Sequence, residues 1–133
     1  MIPIPIPLPP AECVTRFMQE SQRLGIEVQW TSEGMTDLDA AYDARPGAPG
    51  VVKLKDSPQR PGQKQLCTLL AHEMVHVLQH WKGNLRAVPP LGWPVDGAPQ
   101  GRRLSPQEAE AYTAQATPAK VLKAVTSLQP IDP

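Results

Sequence analysis

Proline is the residue that most restricts how this chain can fold, because it makes up 17 of the 133 residues and 9 more are glycine. Proline fixes φ and lacks a backbone N–H, so helix interiors and central strands exclude it. We therefore expect a few regular elements separated by long irregular stretches. The length and the hydrophobic fraction of 41% predict one domain with a small core, which the aromatic share of 5% makes mostly aliphatic.

The first ten residues, MIPIPIPLPP, carry a proline at nearly every second position. Proline biases the residue before it towards extended backbone, so residues 1–10 are predicted to form an extended leader and residues 11–133 a single domain. A second interpretation is that Ile2, Ile4 and Ile6 dock in a groove of the same protein or of a partner. The leader has no basic segment, and no run in the chain approaches the roughly 18 apolar residues of a membrane span.

Charge and cysteine content narrow the class of protein. Lysine and arginine number 13, as do aspartate and glutamate, and the zero net charge disfavours a nucleic-acid or membrane surface, which needs charge of one sign. Cys13 and Cys67 lie far apart without a CxxC pattern, and without an export signal we expect two free buried thiols rather than a disulfide. A small soluble cytoplasmic protein is predicted, and its oligomeric state stays open.

The first half of the chain predicts one helix and three strands. A helix is expected over residues 11–24, with Gly25 placed to end it. Alternating apolar and polar residues over 26–31 predict a half-buried strand, and residues 38–44 a weaker one. Over residues 51–55, apolar residues alternate with two lysines, a pattern typical of an edge strand.

The second half predicts three helices around one long loop. Residues 63–81 form the longest uninterrupted helical pattern of the chain. Residues 83–104 hold four prolines and four glycines, and a loop of this length in a compact domain is usually functional or disordered. A helix over residues 105–116 opens with a capping-box pattern, and Pro118 opens a last short helix.

The centre of the long helix reads AHEMVH, which matches the H-E-x-x-H pattern. His72 and His76 are four residues apart and stand one above the other on a helix, so both imidazoles can reach a single zinc ion. Glu73 points about 100° round the helix, beside the metal, where it can take a proton from a water molecule. These three residues flank a continuous apolar arc and are therefore expected at the border of the core.

Two histidines leave a catalytic zinc without its third protein ligand. Glu108 and Glu110 offer two carboxylates on a later helix. His80 continues the histidine series, but eight helical residues separate its Cα from that of His72 by about 12 Å, which is too far for one ion. His80 is therefore expected at the rim of the site or in support of a ligand.

An H-E-x-x-H helix followed by a helix with a glutamate ligand resembles the gluzincin clan of zinc metallopeptidases. The size is similar to that of the minigluzincins and of zincin-like domains of the ImmA/IrrE type, and the resemblance covers about residues 26–117. It implies an α+β zincin-like fold, in which a small antiparallel or mixed sheet has its edge strand before a long active-site helix. It also implies zinc as the cofactor and a metalloendopeptidase that acts on a peptide or protein substrate.

The resemblance also suggests roles for residues of the second helix. In several such families the ligand glutamate stands four residues before an aspartate, which makes Glu108 the ligand and puts Tyr112 in place of the aspartate. Tyrosine can replace that aspartate only through its hydroxyl. A capping box would compete for Glu108, so Glu110 is the alternative ligand. Tyr112, Tyr42 and His80 are candidates for stabilising an oxyanion.

In the mechanism that the resemblance implies, Glu73 takes a proton from water and passes it to the leaving amine. The substrate is expected to lie along residues 51–55, with the loop of Trp93 as the far wall. Occupation of the cleft by the leader, or by the tail near Pro118 or Pro130, would make the enzyme latent. The alternative function is a non-catalytic zincin-like domain in which the metal orders the fold and the surface binds a protein.

Overall fold

The computed structural model describes residues 7–96 and 103–131. Within these ranges the elements are, in order, α1 (Pro10–Leu24), β1 (Glu27–Thr31), β2 (Ala40–Asp43), β3 (Val51–Lys55), α2 (Gln63–Lys82), α3 (Pro106–Ala114) and α4 (Pro118–Thr126). The α+β class is confirmed, and each predicted helix and strand is present with ends shifted by at most two residues. None of the helices in the described ranges has the length and apolar character needed to cross a membrane.

The ends of α1 follow from local chemistry. Pro10 is the first helical residue, where its missing N–H costs nothing, so the helix begins one residue inside the predicted leader. Gly25 ends the helix as predicted, because its φ of 77° is a left-handed conformation that other residues adopt only at a cost. Ile2, Ile4 and Ile6 lie outside the described residues, and so does the prediction that they dock in a groove.

The three strands form a mixed sheet in the order β1-β3-β2. β1 pairs with β3 in parallel, and β2 pairs with it in the antiparallel direction. The prediction of an edge strand at residues 51–55 is therefore wrong, since both sides of β3 are paired. The alternating lysines have another cause: Val52 and Leu54 face the core, so Lys53 and Lys55 point to the opposite face of the sheet.

Helix α2 runs through the middle of the fold and contacts α1, α3, α4 and β2. Its apolar residues Leu70, Met74 and Val77 are fully buried, as the apolar arc predicted. Because other elements cover so much of its surface, polar residues of α2 are buried as well. Buried polar groups need hydrogen-bond partners, and those of α2 include His72, Glu73, Gln79 and His80.

A disulfide between Cys13 and Cys67 joins α1 to α2, so the prediction of two free thiols is wrong. The packing of α1 along α2 brings the two Cα atoms to 5.7 Å, within the usual span of a disulfide. That proximity arises from helix packing between residues 54 apart in sequence, and no local pattern signals it. The cytoplasmic location stays a prediction. The disulfide does not support it, because disulfides are more typical of oxidising compartments.

Candidate metal centre

His72 and His76 lie one turn apart on α2, with their ring centroids 5.3 Å from each other. One potential ligand atom from each of His72, Glu73 and His76 can be chosen so that all three lie within 4.8 Å of one another. The helix therefore brings together the three residues of the H-E-x-x-H pattern, as the spacing predicts.

Glu108 reaches the same point from α3. Its Oε1 lies 3.3 Å from Nε2 of His72 and hydrogen-bonds to Nε2 of His76. The backbone N–H of Glu108 donates to Oγ of Ser105 at 3.1 Å, so half of the predicted capping box forms. The expected competition between capping and the histidines does not arise, because the cap uses the backbone of Glu108 and the histidines use its side chain.

A glutamine fixes the tautomer of His76. Nε2 of Gln79 donates to the carbonyl of Gln107 at 3.1 Å and to Oε1 of Glu110 at 3.0 Å, so its amide oxygen is the atom that faces His76. That oxygen lies 2.8 Å from Nδ1 of His76 and can only accept, so Nδ1 carries the hydrogen. In the neutral ring of His76, Nε2 then carries a lone pair, and this lone pair points at Glu108.

Gln115 occupies the equivalent place beside His72, with its Oε1 2.8 Å from Nδ1 of the ring. In the neutral form of both rings, three acceptor atoms therefore meet: Nε2 of His72, Nε2 of His76 and Oε1 of Glu108. Acceptors converge in this way only around a cation, which is either a proton on an imidazole or a metal ion. Two imidazoles and one carboxylate suit zinc, so the residues present fit a metal ion.

The electrostatics of the centre agree with this arrangement. Burial alone lowers the pKa of His72 and of His76, but the hydrogen bonds to Glu108 and the negative charge of Glu73 outweigh it and leave both pKa values raised. The same hydrogen bonds, first from His72 and then from His76, hold the pKa of the Glu108 carboxyl far below its usual range. The histidines therefore attract a cation, and Glu108 stays ionised to help bind it.

Glu73 differs from Glu108 in its surroundings. Only 5% of it is exposed, against 40% of the Glu108 side chain, and burial raises the pKa of its carboxyl. No residue in the described ranges donates a hydrogen bond to this carboxylate. A buried carboxylate with a raised pKa and a free oxygen is suited to exchange protons with a ligand.

Glu110, the alternative ligand, lies away from the histidines. Its Oε1 accepts from the N–H of Leu91 at 2.8 Å as well as from Gln79, and its Oε2 accepts from the N–H groups of Gly92 and Trp93 at 2.6 and 2.9 Å. Burial raises the pKa of Glu110, but these hydrogen bonds outweigh it and leave the pKa lowered. The structure thus brings Glu108 to the histidines and uses Glu110 to hold the 91–93 loop.

A cavity of about 520 Å³ opens beside the histidines. Glu73, Glu108 and Tyr112 line it on the helical side, and residues 37–42 line it on the side of β2. Neither Pro118 nor Pro130 is among the lining residues, so the tail does not fill the cavity as the latency hypothesis allowed. Trp93 does not line the cavity either, and its ring packs under Nζ of Lys120 at 4.4 Å, whereas residues 97–102 of the loop predicted as the far wall lie outside the described residues.

The three oxyanion candidates have different environments. Tyr112 lines the cavity with its ring centroid 4.7 Å from that of His72, and no residue in the described ranges hydrogen-bonds to its hydroxyl. The Tyr42 hydroxyl instead lies 2.8 Å from Nδ1 of His80 and accepts from the N–H of Gly50 at 3.1 Å. His80 is 1% exposed and does not line the cavity. Tyr42 and Tyr112 both line the cavity, but of these two only the Tyr112 hydroxyl has no hydrogen-bond partner in the described ranges.

Sequence reasoning missed Gln79 and Gln115, which support the two histidines. Gln79 had a detectable signal, since it is a polar residue next to the apolar arc of a helix predicted to be buried, and such a residue needs partners. Gln115 had none, because its approach to His72 depends on how α3 packs against α2.

Comparison with known proteins adds no further identification: the chain matches no protein-family model, no curated protein and no solved structure.

Proposed function

We propose that this protein is a zinc-dependent metallopeptidase of gluzincin type that hydrolyses bonds in a peptide or protein substrate. The observation that carries the proposal is the convergence of His72, His76 and Glu108 beside the buried carboxylate of Glu73, in an open cavity. A purely structural metal site does not require Glu73, a carboxylate at the cavity wall that accepts no hydrogen bond from the described residues. A zincin-like fold is part of the same proposal.

In this proposal His72, His76 and Glu108 hold the metal. Zinc, when bound, supplies a Lewis acid that polarises the scissile carbonyl and lowers the pKa of water. Glu73 accepts the proton of the attacking water and donates it to the leaving amine, a role that its place at the cavity wall beside the two histidines permits. The hydroxyl of Tyr112 donates to the oxygen on which negative charge develops.

The substrate would lie on β2, since β3 has no free side. The N–H of Lys55 donates to the carbonyl of Asp39 at 3.0 Å, and hydrogen-bonded pairs alternate along an antiparallel ladder. The peptide groups of Ala40 and Tyr42 consequently face away from β3, towards the open edge. An extended peptide can add to this edge as a further strand along the cavity.

The test compares the wild type with Glu73→Gln, each stripped by a chelator and reloaded with one equivalent of zinc. Both proteins are incubated with a pool of peptides from a proteome digest, and new termini are counted by mass spectrometry. Loss of a general base lowers a rate by about 10²–10⁴-fold, so Glu73→Gln should cleave at least about 100-fold more slowly with the same zinc content. Glu12→Gln, which changes an exposed glutamate of α1, is the matched control.

Two results would count against the proposal. A zinc-loaded wild type that cleaves nothing would leave the non-catalytic, metal-stabilised binding domain as the function. Equal rates for wild type and Glu73→Gln would show that Glu73 is not the base, and the mechanism above would be wrong.

A further inference from the structure

Two aspartates at the rim of the cavity lack the counter-ions that other aspartates of the sheet region have. Asp43 and Asp56 each have a lysine or arginine nitrogen within 3.9 Å. Asp37 and Asp39 line the cavity and form no ion pair with any residue in the described ranges. The unpaired carboxylates are therefore those that face the cavity.

Asp39 forms no ion pair with Lys55, the lysine that is hydrogen-bonded to its backbone. The backbone N–H of Lys55 donates to the carbonyl of Asp39 at 3.0 Å, but the Nζ of Lys55 is directed to the carbonyl of Thr36 at 3.5 Å. The negative charge of Asp39 thus stays available to a ligand. Asp39 also lines a second, smaller cavity of about 60 Å³, so space for a ligand continues on its other side.

Away from the histidines, the rim of the cavity carries charge of one sign, because Asp37 and Asp39 line it there. Four carboxylates line it, and no lysine or arginine in the described ranges does so. Glu108 is bonded to the histidines and Glu73 is the proposed base, which leaves Asp37 and Asp39 without a role. A cleft with walls of one sign concentrates ligands of the opposite charge.

A second observation shows that this cavity is built to receive a ligand. Glu73 is 5% exposed, faces the cavity and has no hydrogen-bond donor in the described ranges. No side-chain oxygen that is buried from solvent lacks a hydrogen-bond partner in the described residues, so the Glu73 oxygens open onto the cavity, where a ligand can contact them. The edge of β2 adjoins the same space, and no strand of the described residues pairs with it, so its peptide groups are open to an extended chain.

We propose that Asp37 and Asp39 select peptides that carry a lysine or arginine close to the scissile bond. This inference rests on the proposed peptidase function and specifies its substrate class. An extended peptide on β2 brings alternate side chains to the rim, and a long basic side chain can reach both carboxylates. The selectivity comes from charge, so it should weaken as salt is added.

The first experiment profiles cleavage sites in the proteome-derived peptide pool for the zinc-loaded wild type and for Asp37→Asn, Asp39→Asn and the double variant. We expect lysine and arginine to be enriched at one position within three residues of the cleaved bond. The enrichment should fall in each single variant and disappear in the double variant. Asp56→Asn, which removes the same charge away from the cavity, should keep the wild-type profile.

The second experiment measures kcat/KM for a synthetic peptide taken from the best-cleaved site and for its analogue with the basic residue changed to glutamine. We expect about a five-fold preference for the basic peptide, which corresponds to about 1 kcal/mol, the upper end of the range for an ion pair with an exposed carboxylate such as Asp37 or Asp39. The preference should approach one in the double variant, and in the wild type at about 0.5 M salt, where charges are screened.

The possible failures can be told apart. Cleavage without basic enrichment, or an enrichment that the aspartate variants leave unchanged, would overturn this inference and leave the peptidase intact. Loss of zinc or of all cleavage in Asp37→Asn and Asp39→Asn would show that the two residues are structural, which also overturns it. A zinc-loaded wild type that cleaves nothing would overturn the proposed function itself.

Discussion

Helix α2 carries two sets of polar residues that differ in how far the protein satisfies them. The first set, which we call the cavity cluster, consists of His72, Glu73 and His76 with Glu108 of α3. The second set, the closed pairs, consists of Gln79 with Glu110 and His80 with Tyr42. The two sets are one turn apart on the same helix.

In the closed pairs, partners from the protein surround each polar group. Glu110 is 2% exposed and accepts four N–H groups. His80 is 1% exposed, and its Nδ1 pairs with the Tyr42 hydroxyl, which also accepts from a backbone N–H. In the cavity cluster, by contrast, acceptors face one another and Glu73 has no donor in the described ranges.

The comparison shows what each set contributes. A satisfied buried network adds rigidity and stability, because every desolvated group regains a partner. A set of converging acceptors is unfavourable until a cation arrives, so it is a place for binding. We therefore expect substitutions in the cavity cluster to change metal and activity, and substitutions in the closed pairs to change stability.

The largest effect should come from Glu108→Gln, tested against Glu110→Gln two residues away. Elemental analysis should find about one zinc per chain in the wild type and in Glu110→Gln, and far less in Glu108→Gln, because an amide is a much weaker zinc ligand than a carboxylate. Zinc retained by Glu108→Gln and lost from Glu110→Gln would reverse the assignment of the two glutamates.

Gln115→Ala should weaken zinc binding about 10–100-fold, since it removes the acceptor that orients His72. The measurement is competition with a metal indicator of known affinity. Gln22→Ala, an exposed glutamine of α1, serves as the control and should bind zinc as the wild type does. An unchanged affinity in Gln115→Ala would mean that packing alone orients His72.

Glu110→Gln should lower the free energy of unfolding by about 2 kcal/mol, because charge-assisted hydrogen bonds to the N–H groups of residues 91–93 are weakened. Urea unfolding measures the change, and Glu12→Gln, which alters an exposed glutamate, should unfold like the wild type. A stability equal to that of the wild type would remove the distinction between the closed pairs and the cavity cluster.

The smallest effect concerns Tyr42, and it depends on pH. Burial raises the pKa of Tyr42 to about 12, aided by the charge of Asp43 and opposed by the hydrogen bond from Gly50. The folded state favours the neutral phenol of Tyr42. Its contribution to the free energy of unfolding is therefore complete below the unfolded pKa of about 10 and is lost as pH rises towards about 12.

Tyr42→Phe should therefore be less stable than the wild type by about 1 kcal/mol at pH 8, and the difference should shrink between about pH 10 and 12. Urea unfolding at a series of pH values measures it. Tyr112→Phe keeps Tyr42 and should lose stability over that range as the wild type does. A constant difference across the range would show that Tyr42 does not ionise more easily on unfolding.

The parts of the fold that the sequence predicts are those set by neighbouring residues. Helix ends at Gly25 and Pro118, the strand alternation and the one-turn spacing of His72 and His76 follow from local backbone chemistry. The position of β3 in the sheet does not, because lysines alternate in the same way on an edge strand and on one face of a central strand.

The same limit applies to the site. The rotation of α3 against α2 decides which of Glu108 and Glu110 faces the histidines. The sequence pattern favours Glu108 but leaves Glu110 as an alternative. The contact of Cys13 with Cys67 depends on α1 in the same way. Residues brought together by packing between distant elements leave no periodic signal in the chain.

Gln79 takes part in both sets, since its oxygen orients His76 and its nitrogen binds Glu110. Each requirement excludes different replacements: glutamate would place two carboxylates side by side, and leucine would remove the acceptor of the His76 Nδ1 and one of the four donors of Glu110. In any related chain, position 79 can change only if positions 76 and 110 change with it. Variation at these three positions should therefore be correlated, although one faces the proposed metal site and another anchors a loop.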